Sequence, residues 1–314
     1  MRVVTAPWFR AGLSVALLGY LVSQIDMGET ARATLAINPA HLLMAVALVV
    51  LDRALMLTRW ILLVRRAGMV MPLKSAVWVY LVGSYLGNFL PSGVGADAAR
   101  AFVLARRTDR GMDSVAIVAI DRYLGLYSLA LLAVIGLVLW TGQGDPGLRR
   151  WSVALAVMVT LGAGGFLWAD RLLSLVVPAR WATRSWFNRA QRLAEAMGGY
   201  RRYPGLVGTL TALSLVVQIV RVTQAYVLGE GLGYHVSFSY YLAFMPIGIL
   251  AILLPISIGG FGFGQGVIVW LLRPVGVPDA QALAMSTIYV TLGVLSTLPG
   301  ALLHFRSRSR GLVS

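Results

Sequence analysis

The chain has no cysteine, and only 12% of its residues are charged. The absence of cysteine excludes disulfides, thiolate nucleophiles and cysteine metal sites, and leaves the redox compartment unspecified. The charge content is far below the roughly one quarter found in soluble domains. Three histidines, His41, His235 and His304, are scattered and offer no metal-ligand spacing. No Gly-x-Ser-x-Gly elbow with partners occurs. "GGFGFGQG" at 259–266 is neither a Walker loop nor Gly-x-Gly-x-x-Gly, and no strand precedes it. No polar stretch is long enough to fold as a soluble catalytic domain. Cofactors and metals are not expected, and neither is catalysis.

What remains is apolar. Hydrophobic residues make up 58% of the chain, in runs long enough to cross a bilayer as helices. They do not alternate as barrel strands would. The expected fold is an all-α polytopic membrane protein forming one integral membrane domain over 1–314. Apolar segments lie near 10–26, 40–64, 75–90, 113–141, 150–169, 205–229, 236–254, 262–272 and 282–304. The N-terminal segment has a basic start, and Ala31-Arg32-Ala33 is cleavage-like. That site lies well past the apolar stretch, which favours an uncleaved span over a signal peptide.

The net charge is +15, and 26 of the 27 basic residues are arginine. In a soluble chain this would point to nucleic acid. Here basic loops fixing topology explain it, so no nucleic-acid partner is expected. The basic clusters are Arg2 and Arg10, Arg59 to Lys74, Arg100 to Arg110, Arg171 to Arg202, and Arg306 to Arg310. If all are cytoplasmic, 75–90 cannot cross once, because both its flanks are inside. The same parity makes 236–272 start and end outside. The expectation is six full spans plus two re-entrant helical hairpins of opposite orientation, at about 75–105 and 236–272. Eight or nine spans, with one basic loop outside, is the alternative. Residues 178–202 read as an amphipathic helix in the cytoplasmic interface, against anionic lipid.

The hairpins would turn at two similar breaks, Leu90-Pro91-Ser92-Gly93 and Leu254-Pro255-Ile256-Ser257, each followed by close glycines. Paired interrupted segments of opposite orientation point to an inverted-repeat transporter with a midplane site. Ordinary kinked helices are the other reading. Pro91, Gly93, Gly95, Pro255, Gly259, Gly260, Gly262 and Gln265 are the candidate turn and hinge positions.

Ionisable residues inside apolar runs line cavities or pair with one another. The candidates are Asp52, Arg53, Arg59, Asp97, Arg100, Asp121, Arg122 and Arg221. Asp52 and Arg59, seven apart, share a helix face; Asp97 and Arg100, three apart, can pair. One reading is a cationic cavity for an anionic group, since the arginine fork suits phosphate. The other is internal pairing of these carboxylates with these arginines. The carboxylates are too few to neutralise every arginine.

These residues carry a resemblance. Arg59-Trp60, "FLPSGVGADAAR" at 89–100, Asp121-Arg122-Tyr123-Leu124-Gly125 and "PISIGGFGFGQG" at 255–266 resemble motifs of the lysylphosphatidylglycerol synthase transmembrane-region family, over about 40–304. The resemblance implies a lipid translocator with Arg59, Asp97, Arg100, Arg122 and the late Gly-rich turn as functional positions. Two departures stand out: Ala96 replaces a family glycine, and Gly264-Gln265 replaces an Arg-Glu pair. Gln265 cannot release a proton. The soluble synthase domain of the family's resistance factor is absent.

The expected function is flippase or scramblase activity on a phosphate-bearing lipid, through an Arg-lined midplane cavity. A non-transporting subunit partnering a lipid-modifying enzyme and an integral-membrane transferase on a lipid-linked substrate are the alternatives. The expected location is a bacterial cytoplasmic membrane, with both termini cytoplasmic. Oligomeric state, headgroup, direction and coupling are not legible.

Overall fold

A computed structural model describes residues 26–69, 71–87, 95–140, 157, 161, 162, 165, 168–176, 185–253 and 262–309. The helices are α1 (Met27–Leu35), α2 (Pro39–Arg66), α3 (Leu73–Gly87), α4 (Gly95–Thr108), α5 (Gly111–Leu139), α6 (Ala169–Val176), α7 (Ser185–Gly198), α8 (Pro204–Gly231), α9 (Phe238–Leu253), α10 (Phe263–Leu272), α11 (Asp279–Leu295) and α12 (Leu298–Ser309). Short 3-10 turns cover Gly199–Arg202 and Arg273–Val275. Among the described residues there is no strand. The expected first span at 10–26 and most of 150–169 lie outside the described residues.

Among the described residues, four helices are long and apolar enough to cross a membrane: Pro39–Arg66, Gly111–Leu139, Pro204–Gly231 and Asp279–Arg306. Local chemistry sets their ends. Asn38 caps α2, its side chain accepting from the Ala40 N–H at 2.9 Å, and Pro39 follows at the first helical position. α8 likewise begins on Pro204. The fourth span breaks at Ser296 and Thr297, just before Pro299. Proline has no N–H to continue the ladder, and the two hydroxyls bond back to the Gly293 and Val294 carbonyls.

α2 and α8 pack side by side in opposite directions. The Asn38 N–H donates to the Gly231 carbonyl at 2.9 Å, Asp52 meets Arg221, and Arg59 meets Ser214. Each long helix is followed by a broken pair, α3/α4 after α2 and α9/α10 after α8, and then by another long segment. The members of each pair pack on each other. Arg110 donates to the Ala67 and Gly68 carbonyls at 3.1 and 3.3 Å, so α3 leaves from the end to which α4 returns. In the second pair, the Tyr240 hydroxyl near the start of α9 donates to Leu271 at the end of α10, at 2.5 Å. Because α2 and α8 are antiparallel, the two pairs open toward opposite ends. At 1.5 Å per residue, α3 and α4 are each about 20 Å long, short of the roughly 30 Å hydrocarbon core.

The halves clasp each other. α9 lies on α5, and α12 lies on α3. Both contacts run backbone to backbone over a glycine: a Cβ on Gly136 would collide with the main chain of Leu242, and one on Gly300 with the Leu81 carbonyl.

Two apolar cores are stacked along the bundle. One gathers Trp60, Leu63, Tyr80, Leu104, Ile117 and Leu210; the other gathers Ala45, Leu129, Val222, Tyr241, Ile268 and Met285. In a bilayer the lipid tails are as apolar as these side chains, so the cores hold through close packing and the hydrogen bonds between helices. Between the cores, near mid-length of α2, α5 and α8, lies a polar belt.

Candidate functional site

The belt begins with sequence stripes. α2 carries Asp52 and Arg59 seven residues apart, and both are buried. α8 carries Ser214, Gln218 and Arg221 at helical spacing. α5 contributes Asp121 and Arg122, and α4 contributes Asp97 and Arg100. Opposed helices bring these stripes together.

One cluster is centred on Asp121, which is 3% exposed. Its Oδ1 accepts from Arg59 Nε at 2.8 Å, and its Oδ2 from Arg100 Nη1 at 3.3 Å. Arg59 Nη1 donates to Ser214 Oγ at 2.9 Å. Arg100 Nη2 bonds Asp97 Oδ1, and the other Asp97 oxygen lies 3.3 Å from Arg122 Nη1. Arg100 also stands over Trp60 and Tyr80, its guanidinium carbon 5.6 and 5.3 Å from their ring centroids. Gln218 ties α8 to α5 through the Gly125 carbonyl at 3.0 Å.

The second cluster is centred on Asp52. Arg221 Nε donates to its Oδ1 at 2.7 Å, and Arg221 Nη2 reaches Met56 Sδ at 2.8 Å. Arg53 Nε lies 4.0 Å from Asp52 Oδ2. Arg53 also donates to Ser296 Oγ at 2.7 Å and to the Gly293 carbonyl at 3.2 Å, stitching α2 to the break between α11 and α12.

The sequence allowed an open cationic cavity or internal pairing. For the core of the belt the structure gives the second. Arg59 and Arg100 are buried and each is held by a carboxylate, because a bare guanidinium in an apolar interior is too costly. Each of these arginines has a carboxylate within 4.0 Å, but the carboxylates are shared. Arg59, Arg100 and Arg122 share Asp97 and Asp121, and Arg53 and Arg221 share Asp52, so each described cluster has one guanidinium more than its carboxylates. The most exposed arginine side chains of the belt are Arg122, at 30%, and Arg53, at 28%.

Among the candidate turn residues, Gly95 begins α4 and is buried. Gly262 precedes α10 with φ +92°, a conformation suited to glycine. Gln265 is 2% exposed. Its amide oxygen accepts from the Gly262 N–H at 3.1 Å, and its nitrogen donates to Thr287 Oγ1 at 2.8 Å. It therefore locks the start of α10 onto α11. Pro91, Gly93, Pro255, Gly259 and Gly260 lie outside the described residues.

Ser214, Gln218, Ser296, Thr287 and Tyr80 are belt or hinge partners that sequence reasoning passed over. The first two had a signal: with Arg221 they form a polar stripe of spacing four and three on a mostly apolar helix. A small apolar gap lined by Tyr240, Phe244, Ile268 and Leu272 lies between α9 and α10, among residues of one apolar core rather than those of the belt.

Among the described residues, no group of three or more His, Asp or Glu side chains could hold a metal. A family model described as the lysylphosphatidylglycerol synthase TM region matches residues 8–300. A protein of Methanothermobacter thermautotrophicus described as a UPF0104 membrane protein is 23% identical over 301 residues, covering 88% of each chain.

Proposed function

The chain belongs to the lysylphosphatidylglycerol synthase transmembrane-region family, and on that premise we propose that it moves a phosphate-bearing lipid between membrane leaflets. The observation that carries this reading is the charge surplus in the belt, with Arg122 and Arg53 as its most exposed arginines. A lipid phosphate supplies the missing negative charge, and the arginine fork bonds two of its oxygens. Arg122 makes the first contact. Arg100 and Arg59 then exchange carboxylate for phosphate, while the acyl chains stay in the bilayer.

The broken pairs α3/α4 and α9/α10 act as re-entrant hairpins, one from each face, and their movement opens the belt to each leaflet in turn. The chain performs no catalytic step. Movement is passive, or driven by an ion or the membrane potential. Gln265 pins α10 and carries no proton. The membrane is a bacterial cytoplasmic membrane with both termini inside, and α7 lies along its anionic inner surface.

The test is headgroup translocation in proteoliposomes. Arg122→Gln and Arg100→Ala should each slow it by about tenfold or more, the loss expected for a hydrogen bond to a charged group. Wild-type rates in both variants overturn the reading. The burial of Arg59 and Arg100 favours a second reading, a non-transporting subunit of a lipid-modifying system in which the belt is a staple. That reading requires that the purified wild-type chain move no lipid and that it copurify with an enzyme.

A further inference from the structure

Two buried donors in the belt lack an acceptor: the indole Nε1–H of Trp60 and the Nε–H of Arg100. Trp60 is 0% exposed and Arg100 6%. Buried donors are almost always satisfied, so an orphan calls for an explanation. Neither is short of polar neighbours. Arg100 commits its two terminal nitrogens to Asp121 and Asp97, which leaves Nε over. Arg59, next to Trp60 in the chain, places Nε on Asp121 and Nη1 on Ser214. The Asp97 oxygen that accepts no hydrogen bond already faces Arg122 at 3.3 Å. The guanidinium of Arg100 lies 5.6 Å from the Trp60 ring centroid, so both orphans belong to one cluster.

The deficit has a definite chemistry. The missing group accepts hydrogen bonds, and the Arg59 and Arg100 guanidiniums beside it favour a negative charge on it. We propose that Trp60 Nε1–H and Arg100 Nε–H form an oxyanion subsite that takes a non-bridging oxygen of a phosphate group. Trp60 is then a binding residue, contributing a neutral donor beside the charged ones. A buried water would meet the two donors, and could donate to the Asp97 oxygen that accepts no hydrogen bond, but would bring no charge to the cluster. The lipid identity of the phosphate rests on the transport reading; the subsite itself does not.

Trp60→Phe removes the indole donor and leaves a smaller aromatic ring in its place. Thermal unfolding of the purified full chain in detergent is followed with added phosphatidylglycerol, with inorganic phosphate, and with diacylglycerol as a phosphate-free control. Phosphatidylglycerol should stabilise the wild type and diacylglycerol should not. Trp60→Phe should lose some stability without lipid, because the smaller ring leaves a cavity at a fully buried position, so the comparison rests on the lipid response. Its half-saturating phosphatidylglycerol concentration should rise by about tenfold. Dependence of the phosphate response on Trp60, with none for the lipid, supports the subsite with the free ion as its ligand. Arg100→Lys, which keeps the charge and deletes Nε, should weaken the same response and serves if Trp60→Phe does not fold. An unchanged response in the folded variants overturns the subsite. So does a folded Trp60→Phe that binds normally, whatever its stability without lipid. If wild-type translocation fails while the lipid response still depends on Trp60, the transport reading falls and the subsite stands.

Discussion

Asp121 holds two guanidiniums from two different helices, and both lie in the interior. Asp121→Asn should therefore cost about 3–5 kcal/mol, because breaking a buried pair leaves uncompensated charge. Unfolding in detergent measures it. Adding Arg59→Met should recover part of the loss by removing one stranded cation; an additive double variant would mean that the two groups do not interact. Sequence spacing made only some of this network visible. Asp97 and Arg100 sit three apart on one helix, so their pairing follows from helix geometry alone. The bond between Arg59 and Asp121 joins residues on different helices, and no local pattern specifies which arginine an acid will meet. Gln265 shows the same divide. Its inability to release a proton is plain from its identity, whereas its role as a clamp between Gly262 and Thr287 depends on packing.

At the scale of elements, glycine decides how closely helices approach. Gly300→Ala would drive a methyl group into the Leu81 carbonyl, and Gly136→Ala one into the main chain of Leu242. Each should destabilise by about 1–3 kcal/mol through overpacking, read as a lower unfolding midpoint. Gly205→Ala, where a Cβ meets nothing within 4 Å, should leave the midpoint nearly unchanged. Helix positions were legible because apolar runs set them: the runs read at 40–64, 113–141 and 205–229 correspond to Pro39–Arg66, Gly111–Leu139 and Pro204–Gly231. The run at 282–304 read as one span. Asp279–Arg306 is indeed one candidate span, but with a break at Ser296 and Thr297, where Pro299 interrupts the ladder and hydropathy is blind to that. The pairing of α3 with α4 was legible from charge parity. The clasp of α3 by α12 was not, since nothing in either segment names its distant cover.

At the scale of the whole molecule, the two ends of the described bundle differ in chemistry. One end exposes Arg65, Lys74, Arg106, Arg107, Arg110 and Arg202. The other gathers Trp140, Tyr240 and Phe244 in edge-on and tilted ring contacts 4.6–5.8 Å apart. Basic ends facing the cytoplasm and aromatics at the boundary are the expected membrane pattern. Because the chain lacks cysteine, single cysteines report sidedness cleanly. Lys74→Cys and Arg107→Cys should label from the cytoplasmic side, and Ser237→Cys from the opposite side. Labelling of Lys74→Cys and Arg107→Cys from different sides would overturn the proposed re-entrant hairpin in favour of a crossing.

The seat of Gly300 on Leu81 also bears on how the protein is made. α3 emerges from the ribosome early, and the helix that covers it is among the last described. Throughout synthesis of everything between, that face must be shielded by lipid or by the insertion machinery. Final closure of the bundle therefore waits on its C-terminal helix, and a chain stopped before residue 298 would leave α3 without its cover.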